Sequence, residues 1–100
     1  MNSLMHVYKF EVPEANVERL LEIRDEAIDE AQRLCPSLIR ADLVELSNGV
    51  WLDILTWDRQ DGFDLLMAQA DQFEAVAEMH GLVLDGPEPD VGAVRHSVVS

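Results

Sequence analysis

The sequence predicts an α+β domain of the ferredoxin-like βαββαβ class, a four-stranded antiparallel sheet with two helices on one face. Three observations carry this expectation. Strand and helix periodicities alternate in that order along the 100 residues. A Ser47-Asn48-Gly49 turn joins two strand-like runs in mid-chain. The run that follows it, Val50-Trp51-Leu52-Asp53-Ile54-Leu55-Thr56-Trp57, has no clearly polar face, although side chains alternate sides along a strand. Residues 1–100 form a single domain, long enough to build a core without metals or disulfides.

The elements follow in order. Met5 to Val12 is rich in β-formers, among them Val7, Tyr8 and Phe10. Pro13 suits a first helical position, and Glu14 suits the positive end of a helix dipole. Val17, Leu20, Leu21, Ala27, Ile28, Ala31 and Leu34 then recur at helical spacing, with Arg24 bridging a gap in the apolar stripe. Glu18, Glu22, Asp25, Glu26, Asp29 and Glu30 mark the opposite face. Pro36 stops the helix, since the residue before proline avoids the αR region.

Ser37 to Leu46 is the second strand, with Leu38, Arg40, Asp42, Val44 and Leu46 expected on one side and Ile39, Ala41, Leu43 and Glu45 on the other. Asn48-Gly49 accepts positive φ cheaply and turns the chain into the tryptophan strand. Asp58, with Asp61 three residues on, marks the second helix start. Phe63, Leu66, Met67, Ala70, Phe73 and Ala77 keep helical spacing, with a break expected around Gln69-Ala70-Asp71-Gln72. His80 falls in the last turn and Gly81 suits the position after the helix. Asp85-Gly86-Pro87-Glu88-Pro89 reads as loop, and Val91 to Val99 as the last strand.

Twenty acids against seven Lys and Arg give a net charge of −13. Such a surface repels phosphate backbones and anionic membranes, so nucleic-acid and lipid-surface partners are not expected. The excess acid reads as a solvated helix surface. One cysteine, Cys35, allows no internal disulfide and no cysteine-based zinc cluster. It reads as a small, semi-buried apolar residue. The N-terminal residues lack the basic and apolar regions of a signal peptide, and no apolar run reaches membrane-spanning length. A cytoplasmic protein is the expectation. His6, His80 and His96 lack metal-ligand spacing, and no Gly-rich phosphate loop, HExxH or G-x-S-x-G motif occurs. No metal site is expected.

Two helices cannot cover both faces of such a sheet. Whichever face of the tryptophan strand lies away from them is apolar, and large exposed apolar patches mark interfaces or ligand sites. A symmetric homodimer, each sheet closed by a second copy, resolves this. The alternative is a monomer with a partly wet tryptophan face.

The element order, the Phe10-Glu11-Val12-Pro13 start and the Trp57-Asp58 pair entering the second helix resemble the antibiotic biosynthesis monooxygenase-like (ABM) family. The resemblance spans nearly the whole chain and is one of pattern. It implies a dimeric α/β barrel. It also implies a reaction drawn from a varied set that includes cofactor-free oxygenases of polycyclic aromatic phenols, haem-degrading enzymes and domains of no assigned activity. The haem-degrading branch fits poorly. Phe63 matches its aromatic position, but Leu66 stands where it has tryptophan and Val76 where it has the iron-ligating histidine. No Asn lies in the first strand, and His80 comes one turn too late.

The candidate site follows from the tryptophan strand. Asp53, between Trp51 and Trp57, reads either as a general base for a phenol or as a structural ion-pair partner of Arg40 or Arg95. Trp51 and Trp57 either stack on a small aromatic ligand or simply pack. His6 and Tyr8 either reach a substrate oxygen or pack under the helices, which would leave Lys9 and Glu11 toward the cavity. Arg95 and His96 point to opposite sides of the last strand, and Arg95 or Arg40 is the candidate to steady an anion. The functional expectation is a cofactor-independent monooxygenase with Asp53 and Arg95 as catalytic residues and Trp51, Trp57, Tyr8, His6 and Arg40 around the substrate. The rival readings are a non-catalytic dimeric binding or structural domain, and a proton-transfer enzyme that needs no oxygen.

Overall fold

The computed structural model describes residues 3–69, 73–84 and 89–98. The elements are β1 (Leu4–Phe10), a single 3₁₀ turn (Glu14–Asn16), α1 (Val17–Leu34), β2 (Leu38–Glu45), β3 (Trp51–Trp57), α2 (Gln60–Gln69), α3 (Glu74–Gly81) and β4 (Asp90–Ala93). The sheet has the order β2-β3-β1-β4 with every neighbouring pair antiparallel. This is the expected ferredoxin-like arrangement. α2 ends at Gln69 and α3 opens after the extended Phe73, while Ala70, Asp71 and Gln72 of the expected break lie outside the described residues. The side chains of Phe63, Leu66 and Met67, Ala70, and most of the Asp85–Pro89 loop lie outside the described residues.

The helices cover the face of β3 that carries Trp51, Asp53, Leu55 and Trp57, all buried. Directly opposite pairs in an antiparallel ladder share a face. Phe10, Tyr8, His6 and Leu4 stand opposite those residues in turn, so they too lie beneath the helices. Lys9 and Glu11 therefore do not line the helix side. The other face of the sheet carries Met5, Val7, Asp42, Val44, Leu52 and Ile54, all half-buried in one chain.

Several local expectations are corrected. Leu38 pairs with Trp57, but Arg40 pairs with Thr56, so the register slips between them. This bulge turns Leu38 into the core beside Trp57 and leaves Ile39 exposed. Strict alternation had placed Leu38 with Arg40. The hairpin is tighter in one respect. Gly49 N–H donates to Leu46 O at 3.0 Å and Leu46 N–H to Val50 O at 2.8 Å. Gly49 alone carries positive φ, at 87°, while Asn48 contributes its side chain, whose Oδ1 accepts from Val50 N–H at 3.1 Å. Pro13 precedes a 3₁₀ turn rather than opening α1, its carbonyl accepting from Asn16 N–H at 2.8 Å. Gly81 is the last residue of α3 and Leu82 caps it. Within the described residues the last strand ends at Ala93, so Arg95 and His96 follow it rather than alternating along it.

The buried stripe of α1 is Leu20, Ile23, Arg24, Ala27 and Ala31. Ile23 replaces Leu21, which is exposed. Its C-terminal end meets Cys35, Leu38, Leu55 and Trp57, and its middle meets Ala75 and Val76 of α3. Antiparallel to α1, α3 is fastened along its length. Glu30 Oε1 accepts from the Ala75 and Val76 N–H groups at 3.1 and 3.2 Å, capping the helix from a neighbouring element. Arg19 grips the Glu78 carboxylate through two nitrogens, and Asn16 Nδ2 donates to Leu82 O at 3.1 Å. Glu30 is thus a docking residue within the face read as solvated acid.

Gly62 lets α2 sit directly on β3. A methyl group there would come within 2.9 Å of Ser37 Cβ and 3.2 Å of Trp57 Cε3, and would overlap Ser37 Oγ. Overpacking of this kind costs about 1–3 kcal/mol. Gly62→Ala is therefore expected to lower the urea midpoint by a corresponding amount, and to cost less in a Ser37→Gly background. Equal stability of Gly62→Ala and wild type would contradict this close approach.

Candidate functional site

The chemistry-bearing side chains gather between the sheet and α1. Arg24 reaches down from α1, and its Nη1 donates to Asp53 Oδ2 at 2.8 Å. Arg24 Nη2 stands 2.8 Å from Asp53 Oδ1, so both terminal nitrogens of the guanidinium meet the carboxylate. The two side chains are 10% and 8% exposed, making this a buried ion pair. Tyr8 faces Asp53 directly across the β1–β3 ladder, and Met79 Sδ of α3 lies 3.8 Å from Arg24 Nη1. The expected partner of Asp53 was Arg40 or Arg95; the partner is Arg24. A lone charged residue in an apolar helical stripe was the signal for it. A stripe facing a strand with one carboxylate gives that charge one place to go.

Buried ion pairs are poor stabilisers, because desolvation offsets most of the Coulombic gain.

Burial first, and the Asp53 carboxylate second, push the Tyr8 hydroxyl up to about 12. Tyr8 remains a hydrogen-bond donor throughout the ordinary pH range. His6 is fully buried and meets Trp57 edge-on, with ring centroids 6.3 Å apart. Burial pulls its imidazole below the usual value, while the Asp64 carboxylate acts in the opposite direction. Burial also raises the Cys35 thiol, which disfavours a thiolate nucleophile.

The structure therefore brings Asp53, Trp51, Trp57, Tyr8 and His6 together on one side of the sheet. It does not bring Arg40 or Arg95 to them. Arg40 shares the far face with Asp42, to which its Nε donates at 2.8 Å. Arg95 and His96 line an apolar groove of about 330 Å³ with Met5, Val7 and Val91 to Val94. Among the described residues, no group of three or more His, Cys, Asp or Glu side chains is placed to hold a metal ion. Among the same residues, no helix is long and apolar enough to cross a membrane.

No protein-family model matches the sequence, and no curated protein matches it significantly. Solved structures do match the fold. The cofactor-independent oxygenase SnoaB from Streptomyces nogalater is 17% identical, with 99% of this chain and 97% of that chain covered and a TM-score of 0.69. A Bordetella bronchiseptica protein assigned as an antibiotic biosynthesis monooxygenase is 11% identical over 98% of this chain and 100% of that one, at a TM-score of 0.74. A Caulobacter crescentus protein of the same assignment is 14% identical over 97% and 92%, at 0.69. The chain thus has the ABM-type fold, and at these identities the likeness extends to the fold alone.

Tyr8 is the chain's only tyrosine, so its ultraviolet titration reads one group. The expected midpoint is about 12 in the folded protein, against 10 when unfolded. Because the folded-state value is raised, the associated stability is fully present below pH 10 and is lost as pH rises from 10 through about 12. Asp53→Asn should lower the midpoint without returning it to 10, since burial is the larger cause. A native midpoint at 10 would contradict the buried placement of Tyr8 beside Asp53.

Proposed function

We propose that this chain is a small homodimeric, cofactor-independent oxygenase that acts on an aromatic or polyketide-like molecule. The observation that carries the reading is the buried Asp53 carboxylate, set beside Tyr8 and on the same strand face as Trp51 and Trp57. The fold shared with a cofactor-independent oxygenase supports it.

In this reading the substrate is an enolisable polycyclic phenol. Asp53 accepts a proton from it, leaving a carbanion delocalised over the ring system. The carbanion passes one electron to O₂, and the resulting radical pair combines to form a C–O bond. The peroxide anion recovers the proton from Asp53, and loss of water leaves a new carbonyl. One O₂ is consumed, one oxygen atom enters the product and the other leaves as water. Trp51 and Trp57 wall the aromatic rings, and Tyr8 and His6 hold the substrate oxygen.

The homodimer rests on the far face of the sheet. Met5, Val7, Val44, Leu52 and Ile54 form an apolar surface with no helix above it among the described residues, and large apolar surfaces mark interaction sites. The tryptophans, buried within their own chain, are not that interface. A second copy of the same face is self-complementary under two-fold symmetry.

A second reading has its own support. Trp57 is fully buried and Trp51 and Leu55 nearly so, as a packed non-catalytic binding or structural domain would have them. Oxygen uptake with anthrone, a polycyclic phenol in its enol form, separates the two. Uptake with matching quinone formation is expected from wild type. Asp53→Asn should abolish it while the dimer persists in sedimentation, and Ile54→Glu should yield monomers. Absence of uptake favours the non-catalytic domain. Substrate conversion without uptake favours a proton-transfer enzyme.

A further inference from the structure

The groove beside β4 has no part in the function proposed above. Met5 and Val7 line it from the face of the sheet away from Asp53. β4 is an outer strand, so the groove opens at the margin of the proposed dimer surface rather than at its centre on β3. We infer that this groove is a binding site for a small amphiphile with an apolar chain and one carboxylate, a free medium-chain fatty acid. The apolar chain lies along β4, and Arg95 takes the carboxylate.

Three observations carry it. The first is the origin of the groove. Met5 stands opposite Gly92 and Val7 opposite Asp90. Gly92 leaves a gap beside Met5 where any other residue would put a side chain. Its backbone does not require glycine, because among the described residues only Gly49 has positive φ. A Cβ at Gly92 would meet nothing within 4 Å. Glycine inside a strand packs nothing and weakens it, and a recurring use is close approach by a ligand. The space is about 330 Å³, the size of a small-ligand site.

The second observation is charge. Lys9, Arg19, Arg24, Arg40 and Arg59 each face a carboxylate, and Arg33 Nε donates to Asp29 O. Arg95 has neither an ion pair nor a hydrogen bond among the described residues, in a chain with 20 acids. It lies where the chain leaves β4, at the end of an otherwise apolar groove. Its planar fork matches a carboxylate, and His96 beside it adds an N–H donor. One arginine balances one negative charge. The net charge of −13 opposes a doubly charged phosphate and an anionic membrane, so the carboxylate is that of a free acid. The third observation sets direction. Asp90, at the opposite end of β4, repels a carboxylate and is engaged by Lys9 Nζ at 3.5 Å. The acid head is therefore held at the Arg95 end. The four residues of β4 span about 10 Å, the reach of a medium-length acyl chain.

The test is calorimetric titration of the full-length protein with decanoate below its micelle concentration. Decanol is the uncharged match, and phosphatidylglycerol vesicles are the lipid-surface arm. Wild type is expected to bind one decanoate per chain and to leave the vesicles unbound. Decanol should bind roughly tenfold more weakly, since it lacks the charge-assisted bonds. Arg95→Gln should bring decanoate down to the affinity of decanol, and Arg95→Lys should recover part of the loss. Gly92→Val should fill the groove and weaken both ligands while keeping the wild-type urea midpoint, because the new side chain enters open space. Absence of decanoate binding overturns the inference, and monomers from Gly92→Val would then give the groove to a second copy. Equal affinity for decanoate and decanol also overturns it, as does decanoate binding unchanged in Arg95→Gln or in Gly92→Val. Vesicle binding that Arg95→Gln abolishes overturns it in favour of a lipid surface. Oxygen uptake plays no part in these measurements, so the inference stands or falls independently of the oxygenase reading.

Discussion

The contact between Arg24 and Asp53 decides what the space under the helices is. It joins the middle of α1 to the middle of β3, two elements that otherwise meet through apolar side chains. Removing either partner leaves a charge in a medium that solvates it badly, which costs far more than the intact pair contributes. The pair therefore acts less as a source of stability than as a constraint. Its Arg24 lies on the same buried stripe of α1 as Leu20, Ile23, Ala27 and Ala31, while Leu21 is exposed. Glu30, Arg19 and Asn16 bond to α3 and its C-cap from the same layer. The result is a helical layer held by polar contacts at both ends and by small apolar residues between them.

β3 then divides the molecule. Its tryptophan side belongs to the chain's own interior, with Trp57 sealed by Gly62 and Ser37 at one end of the strand and Trp51 at the other. Its Leu52 and Ile54 side belongs to the far face. A strand apolar on both sides is what a sheet needs when helices cover one face and another molecule covers the other. The chemical groups and the proposed dimer surface thus lie on opposite sides of the same strand. A substitution such as Ile54→Glu tests one without touching the other.

Much of this was legible in the residues. Element order followed from periodicity, and the hairpin from Asn48-Gly49. What escaped did so for identifiable reasons. The bulge between Leu38 and Arg40 reverses which side Leu38 faces, and a pattern of alternating residues contains no sign of one added position. The choice between the two apolar faces of β3 is set by packing against helices, because hydrophobicity alone is satisfied either way. The role of Glu30 depends on where α3 begins in space. The partner of Asp53 comes from a helix, Arg24 of α1. Arg40 and Arg95 are neighbours along the sheet, whereas Arg24 stands above it, and strand alternation carries no sign of a residue on the covering helix.

The central claim is that the Arg24–Asp53 pair is a buried, mutually dependent unit that the fold could do without. A double-mutant cycle on unfolding free energy, using Arg24→Met, Asp53→Leu and the combined variant, addresses it directly. The account predicts a loss of about 3–5 kcal/mol for each single variant, as for other broken buried pairs, and near wild-type or greater stability for the combination. Single and combined losses that simply add would contradict it, since additivity would mean that the two groups do not depend on one another.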